Sequence, residues 1–146
     1  MKRVLGISSI VIMVVFAAVA LYAGTAVQDV VTMNNKAYSA HKKGIVEFSH
    51  KKHTGEYKAT CGECHHDANN KPLELKAGDS VQNCIECHKN TAAKPKGKKL
   101  SKKDKLEYHA EAIHYNCKGC HKEFNKKNKT KAAPTTCGKC HPKTKK

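Results

Sequence analysis

The chain has 146 residues, a formal net charge of +16, 5% aromatic residues and no tryptophan. Its length allows one domain at most, and with 27% charged residues it lacks the apolar surface for an ordinary side-chain core. Buried surface must come from elsewhere, and the eight cysteines are the residues able to hold it, as disulfides, metal ligands or cofactor attachments.

In chain order, Lys2 and Arg3 precede an apolar run, Val4 to Ala23, interrupted only by Gly6, Ser8 and Ser9. A basic start, an apolar stretch and the small residues Ala23, Gly24, Thr25 and Ala26 form an export-signal pattern. Residues 1–26 are expected to be removed after Ala26, leaving a domain over 27–146. The run of about 20 residues also suits an uncleaved membrane anchor. Either way the remainder is expected outside the cytoplasm.

The cysteines then fall into four pairs, each followed by histidine: Cys61-x-x-Cys64-His65, Cys84-x-x-Cys87-His88, Cys117-x-x-Cys120-His121 and Cys137-x-x-Cys140-His141. No cysteine is left over. The two thiols of C-x-x-C-H add across the vinyl groups of a haem, and the adjacent histidine coordinates the iron. Four-cysteine zinc sites, redox dithiols and disulfides use the same cysteines, but none needs histidine after the second cysteine. Four repetitions of that condition point to four covalently attached c-type haems.

Ala92 to Lys99, with Pro95, Gly97 and many lysines, reads as an exposed loop. Ser101 with Asp104 resembles a capping box, and a helix is expected from about Lys102 to Ile113, with Leu106, His109 and Ile113 on one face.

Each iron needs a second axial ligand. Met1 and Met13 lie in the export segment and Met33 sits well before the first motif. Solvated lysine is mostly protonated at neutral pH, so neutral imidazole is the better donor. Of the ten histidines, four follow cysteine pairs. His41, His50, His53, His66, His109 and His114 remain for four places, so every iron can be six-coordinate.

From Val30 to His141 the chain resembles the class III cytochromes c, the tetrahaem cytochrome c3 group and its three-haem relatives. The resemblance rests on Phe48-x-His50-x-x-His53 and Cys61-x-x-Cys64-His65-His66. The second motif, Cys84 to His88, is the one the three-haem relatives lack. Val30 to Met33 and Gly44 to Phe48 are similar to that family's short N-terminal hairpin, here with a longer connection. The implied fold has little regular secondary structure, a short N-terminal β-hairpin and a few short α-helices wrapped around four haems. The resemblance also implies distal ligands: His50 opposite His65, His53 opposite His121, and His66 opposite His88. For the fourth haem, His114 fits the family spacing ahead of Cys117 and would oppose His141. His109 competes, although the family carries an uncoordinated histidine in a similar Tyr-His-Ala setting. His41 reads as a solvated loop residue.

Loss of residues 1–26 removes Lys2 and Arg3 and no acid, so +16 becomes +14. Haem propionates would offset much of this charge, and no nucleic-acid partner is inferred. Lys118, Lys122, Lys126, Lys127, Lys129, Lys131, Lys139, Lys143, Lys145 and Lys146 surround the last two motifs. Such a collar would steer acidic redox partners; for the family these are periplasmic hydrogenase and other multihaem cytochromes. The expected role is a periplasmic, low-potential electron carrier rather than an enzyme. The alternatives are a multihaem reductase, which needs an open iron position, and a membrane-anchored quinol-oxidising cytochrome, which needs residues 1–26 retained.

Overall fold

In the structure, a computed structural model, residues 28–143 are described. The apolar run, its cleavage position, Lys145 and Lys146 lie outside the described residues. Gln28–Lys76 and Val81–Lys146 belong to one compact unit. Ala77–Ser80 belongs to the other and is a turn in which Gly78 takes a positive φ of 96°. Among the described residues no helix is long and apolar enough to cross a membrane.

Two strands form an antiparallel hairpin, β1 (Val31–Thr32) and β2 (Glu47–Phe48), in the register Val31 opposite Phe48 and Thr32 opposite Glu47. β-Branched and aromatic residues suit a pleated surface. The Thr32 hydroxyl donates to the Glu47 carboxylate at 3.0 Å, and the Met33 amide extends the pairing to the Val46 carbonyl at 2.9 Å. The connection turns where Asn35 Oδ1 accepts from the Ala37 amide at 2.9 Å, an Asx turn.

After β2 come one turn of π-helix, Lys52–Glu56, and one 3₁₀ turn, Cys61–Glu63. Four α-helices follow: α1 (Cys84–Cys87), α2 (Lys102–Leu106), α3 (His109–Lys127) and α4 (Cys137–Cys140). The helix expected over Lys102 to Ile113 is therefore two helices, and the second runs on through the third cysteine motif. Asn90 is the cause of the break. Its amide donates to the Glu107 carbonyl at 3.1 Å and its carbonyl accepts from the His109 amide at 2.9 Å. This parallel bridge to Tyr108 substitutes sheet-like bonds for helical ones and draws Tyr108 into an extended conformation (ψ 115°). Leu106 therefore does not share a continuous helix face with His109 and Ile113. The 92–99 segment is exposed throughout, as expected.

Among the described residues only Ala112 (7% exposed) and His109 (5%) are buried. Hairpin, short helices and irregular chain match the expected architecture, and α3 is its one long element. Such a chain has almost no side-chain core of its own, and hydrophobic burial, the main stabilising force in ordinary domains, must involve something besides side chains.

Two outcomes follow from this anatomy. Ser101 Oγ accepts from the Asp104 amide at 3.1 Å at the start of α2. Ser101→Ala should lower stability by about 1 kcal/mol, seen as an earlier guanidinium midpoint with unchanged slope, and Ser101→Asp should preserve it. Burial, and then the nearby His88, depress the pKa of His109. An unfolded histidine titrates near about 6.5, so below that pH the unfolded chain holds the extra proton and stability falls until the folded value is passed. Acid unfolding curves of His109→Gln should lack part of this decline.

Candidate haem sites

Each cysteine motif folds as one helical turn. The histidine amide bonds back to the first cysteine's carbonyl: His65 to Cys61 at 2.8 Å, His88 to Cys84 at 2.9 Å and His141 to Cys137 at 2.8 Å. Cys117 to His121 lie within α3. A single turn therefore sets two thiols and one imidazole in a fixed relation, whatever lies around it.

The sequence explains these turns locally. Glu63 reaches back to the Thr60 amide at 2.5 Å and Glu86 to the Asn83 amide at 2.7 Å, so the acid between the cysteines caps the turn that contains it. At Gly62 an added Cβ would lie 2.9 Å from the Pro72 Cβ and 3.0 Å from the Leu73 carbonyl oxygen. Only glycine lets the first motif pack against that segment, beside a cavity of about 440 Å³ lined by Cys61, Gly62, Glu63 and Leu73 to Leu75 among others.

The histidines gather in pairs. His53 and His121 have ring centres 6.2 Å apart, His66 and His88 5.9 Å, and His114 and His141 6.2 Å. Two in-line metal–imidazole bonds of about 2.0 Å place ring centres about 6 Å apart, so these separations suit one metal between each pair. His50 lies close enough to His65 to help depress its pKa, after burial and ahead of His66. His114 is likewise pushed down, first by burial and then by His141. Lowered values keep the rings neutral, which is the form that donates to a metal.

Hydrogen bonds fix the tautomers. Nδ1 faces a backbone carbonyl in His53 (Ser49, 2.8 Å), His66 (Asp67, 2.8 Å), His121 (Pro134, 2.7 Å), His141 (Gly44, 2.8 Å) and His88 (Leu106). A carbonyl only accepts, so Nδ1 carries the hydrogen and Nε2 keeps its lone pair. Metal-bound histidines are oriented by outer partners of this kind. Phe48 supports two of the candidates at once, with its ring centre 4.6 Å from that of His53 and 6.0 Å from that of His50. Since Phe48 pairs with Val31, the hairpin positions both.

The remaining histidines are engaged otherwise. His41 is exposed, with Nε2 3.0 Å from Asn34 Oδ1. His109 Nδ1 meets the Tyr38 hydroxyl at 2.8 Å. Residue type alone does not point to the carbonyls of Gly44, Leu106 and Pro134 or to the acids Glu63 and Glu86 as supports of these sites. The first three leave no trace in side-chain identity, whereas Thr60-x-x-Glu63 and Asn83-x-x-Glu86 are legible as capping boxes.

All eight cysteines are unpaired, and among the described residues no group of three or more His, Cys, Asp or Glu comes together to hold a metal ion. Burial pushes the Cys117 thiol up to about 11, helped by Cys64, Cys84, Cys140 and Cys120. Burial likewise raises Cys64 and Cys84. Thiols raised this way are weak nucleophiles and poor redox centres. The same neighbours show that Cys117 has a cysteine from each other motif close by, and Asn116 Nδ2 bonds the Cys64 carbonyl at 3.4 Å. The residues thus fit c-type haems: thiols in C-x-x-C-H turns, neutral imidazoles in pairs, and a chain without a core of its own.

Comparison with known proteins gives the same direction. Residues 25–141 match the class III cytochrome C family. Cytochrome c3 from Maridesulfovibrio salexigens is 36% identical over 105 residues, covering 70% of this chain and 83% of that protein. The family match takes in the hairpin, every cysteine and every histidine, and by it the chain belongs to the class III cytochrome c family, multihaem electron carriers that bind c-type haem.

Proposed function

We propose that the exported chain carries four c-type haems, each with two histidine ligands, and works in the periplasm as a low-potential electron carrier. The observation that carries this reading is the set of imidazole pairs 5.9 to 6.2 Å apart, most with Nδ1 anchored to a carbonyl. Cys61 and Cys64, Cys84 and Cys87, Cys117 and Cys120, and Cys137 and Cys140 would hold the haems. His65 with His50, His88 with His66, His121 with His53, and His141 with His114 would be the axial ligands. The haems supply reversible one-electron chemistry.

The chain's own part is positional. Turns and carbonyls hold each imidazole where it stands, so little rearrangement accompanies electron arrival. Two imidazoles and a polar, exposed setting favour low potentials, and proximity of the motifs around Cys117 makes the titration a property of the set. Export rests on the pattern of residues 1–26, which also leaves room for a tether to the inner membrane. Redox proteins with acidic faces, such as hydrogenase and other multihaem cytochromes, are the partners this charge distribution suits. Lys122, Lys126, Lys127, Lys129, Lys131, Lys139 and Lys143 are exposed, and Glu123 is the one acid from Cys117 onward.

An intact mass of the mature protein should show four haem increments and loss of residues 1–26; fewer increments would refute the haem count. The reduced protein should leave carbon monoxide unbound, and substantial binding would instead favour a reductase. Reversing Lys126, Lys127, Lys129 and Lys131 to Glu should slow electron transfer with an acidic partner at low salt, with the difference shrinking as salt rises. Equal rates would reject the docking role.

A further inference from the structure

Two contacts of the hairpin connection, made six residues apart, reach His141 and the start of the helix that carries its partner His114. Tyr38 lies 71 residues from His109 in sequence, and its hydroxyl stands 2.8 Å from His109 Nδ1. The rings approach to 5.6 Å, and the Ala110 amide in the first turn of α3 lies close enough to favour the phenolate. His109 is the only buried polar side chain among the described residues, at 5% exposure. His114 follows five residues later on the same helix, about 7.5 Å along a rigid axis. The second contact is Gly44, whose carbonyl accepts from His141 Nδ1 at 2.8 Å across 97 residues. Gly44 cannot carry a side chain, because a Cβ there would collide with the Pro142 carbonyl oxygen and lie 2.9 Å from the Pro142 Cγ. His114 and His141 are partners at 6.2 Å, their planes at 80°.

We infer that the connection between β1 and β2 is a clamp for the fourth haem site, with Tyr38 and Gly44 as positioning residues for His114 and His141. Tyr38 holds the start of the helix that presents one imidazole, and Gly44 holds the other imidazole directly. No other pair has both members tied to this segment: His88 is anchored by Leu106 and His121 by Pro134. His41 sits on the same Tyr38 ring at 5.5 Å, which restrains the phenol from the exposed side. The electronic state of a bis-imidazole iron depends on how its two rings are oriented and how strongly each donates. A clamp on both rings therefore tunes one haem of the set. This inference rests on the proposed function in taking His114 and His141 as ligands of one iron.

The test uses the mature holoprotein and its oxidised haem methyl resonances, with the fourth haem identified through contacts to the Cys137 and Cys140 side chains. Tyr38→Phe removes only the hydroxyl, and His109→Leu removes its partner. His109→Gln can still hydrogen-bond the phenol, and Gly44→Ala displaces the His141 anchor. Tyr38→Phe, His109→Leu and Gly44→Ala should each shift the methyl signals of the fourth haem while the other three keep theirs, and His109→Gln should restore the parent spectrum. Unmoved fourth-haem signals in Tyr38→Phe and His109→Leu, or equal shifts at all haems, would overturn the clamp. If His114 and His141 prove in the parent spectrum to contact different haems, the ligand reading itself fails, a result separable from any variant's behaviour.

Discussion

One hydrogen bond, from the histidine amide to the carbonyl of the cysteine four residues earlier, governs the rest of this molecule. It closes a helical turn around each C-x-x-C-H and so converts a sequence spacing into a rigid donor set. The turns are short and held by local means, Glu63 and Glu86 capping two of them, while the third rides on the 19-residue α3. Because each turn is self-sufficient, the intervening chain is free to bring further imidazoles beside the motif histidines. In the proposed ligand set the segment after β2 would supply His50 and His53, the residue after the first motif His66, and α3 His114.

Stability and function share these groups. A chain whose described residues bury only Ala112 and His109 cannot draw several kcal/mol from side-chain packing as ordinary domains do. The ion pairs of Lys51 with Asp29 at 3.1 Å, well exposed, and of Lys94 with Glu111 at 2.9 Å, partly exposed, are weak contributors, since surface pairs give about 0–1 kcal/mol. The carbonyls that orient the imidazoles also tie distant parts of the described chain together, as between Gly44 and His141. Disturbing such an outer partner of a motif histidine therefore disturbs the fold as well.

The cysteine motifs, the exposed 92–99 loop and the capping of α2 by Ser101 were legible in the sequence because each depends on neighbours a few residues away, whereas the hairpin, whose partners stand 15 to 17 residues apart, was legible only through the family resemblance. The division between α2 and α3 was not. Local propensity carries a helix through Tyr108, and only Asn90, some eighteen residues upstream, supplies the competing hydrogen bonds. Side-chain chemistry narrowed the second donors to six histidines, and resemblance to a family ordered them. The contact that sets His109 apart from His114, the Tyr38 hydroxyl on Nδ1, spans a distance no periodicity encodes.

The near absence of buried side chains has a consequence for biogenesis. Where ligand binding supplies the free energy of folding, the empty polypeptide has no compact state to rest in. On the proposed reading, an exported chain would arrive as an extended substrate and stay accessible to thioether-forming machinery at its C-x-x-C-H motifs. Collapse would come last, once the macrocycles were in place. Copies that missed a macrocycle would remain open to proteases, so maturation would police itself without a dedicated inspector.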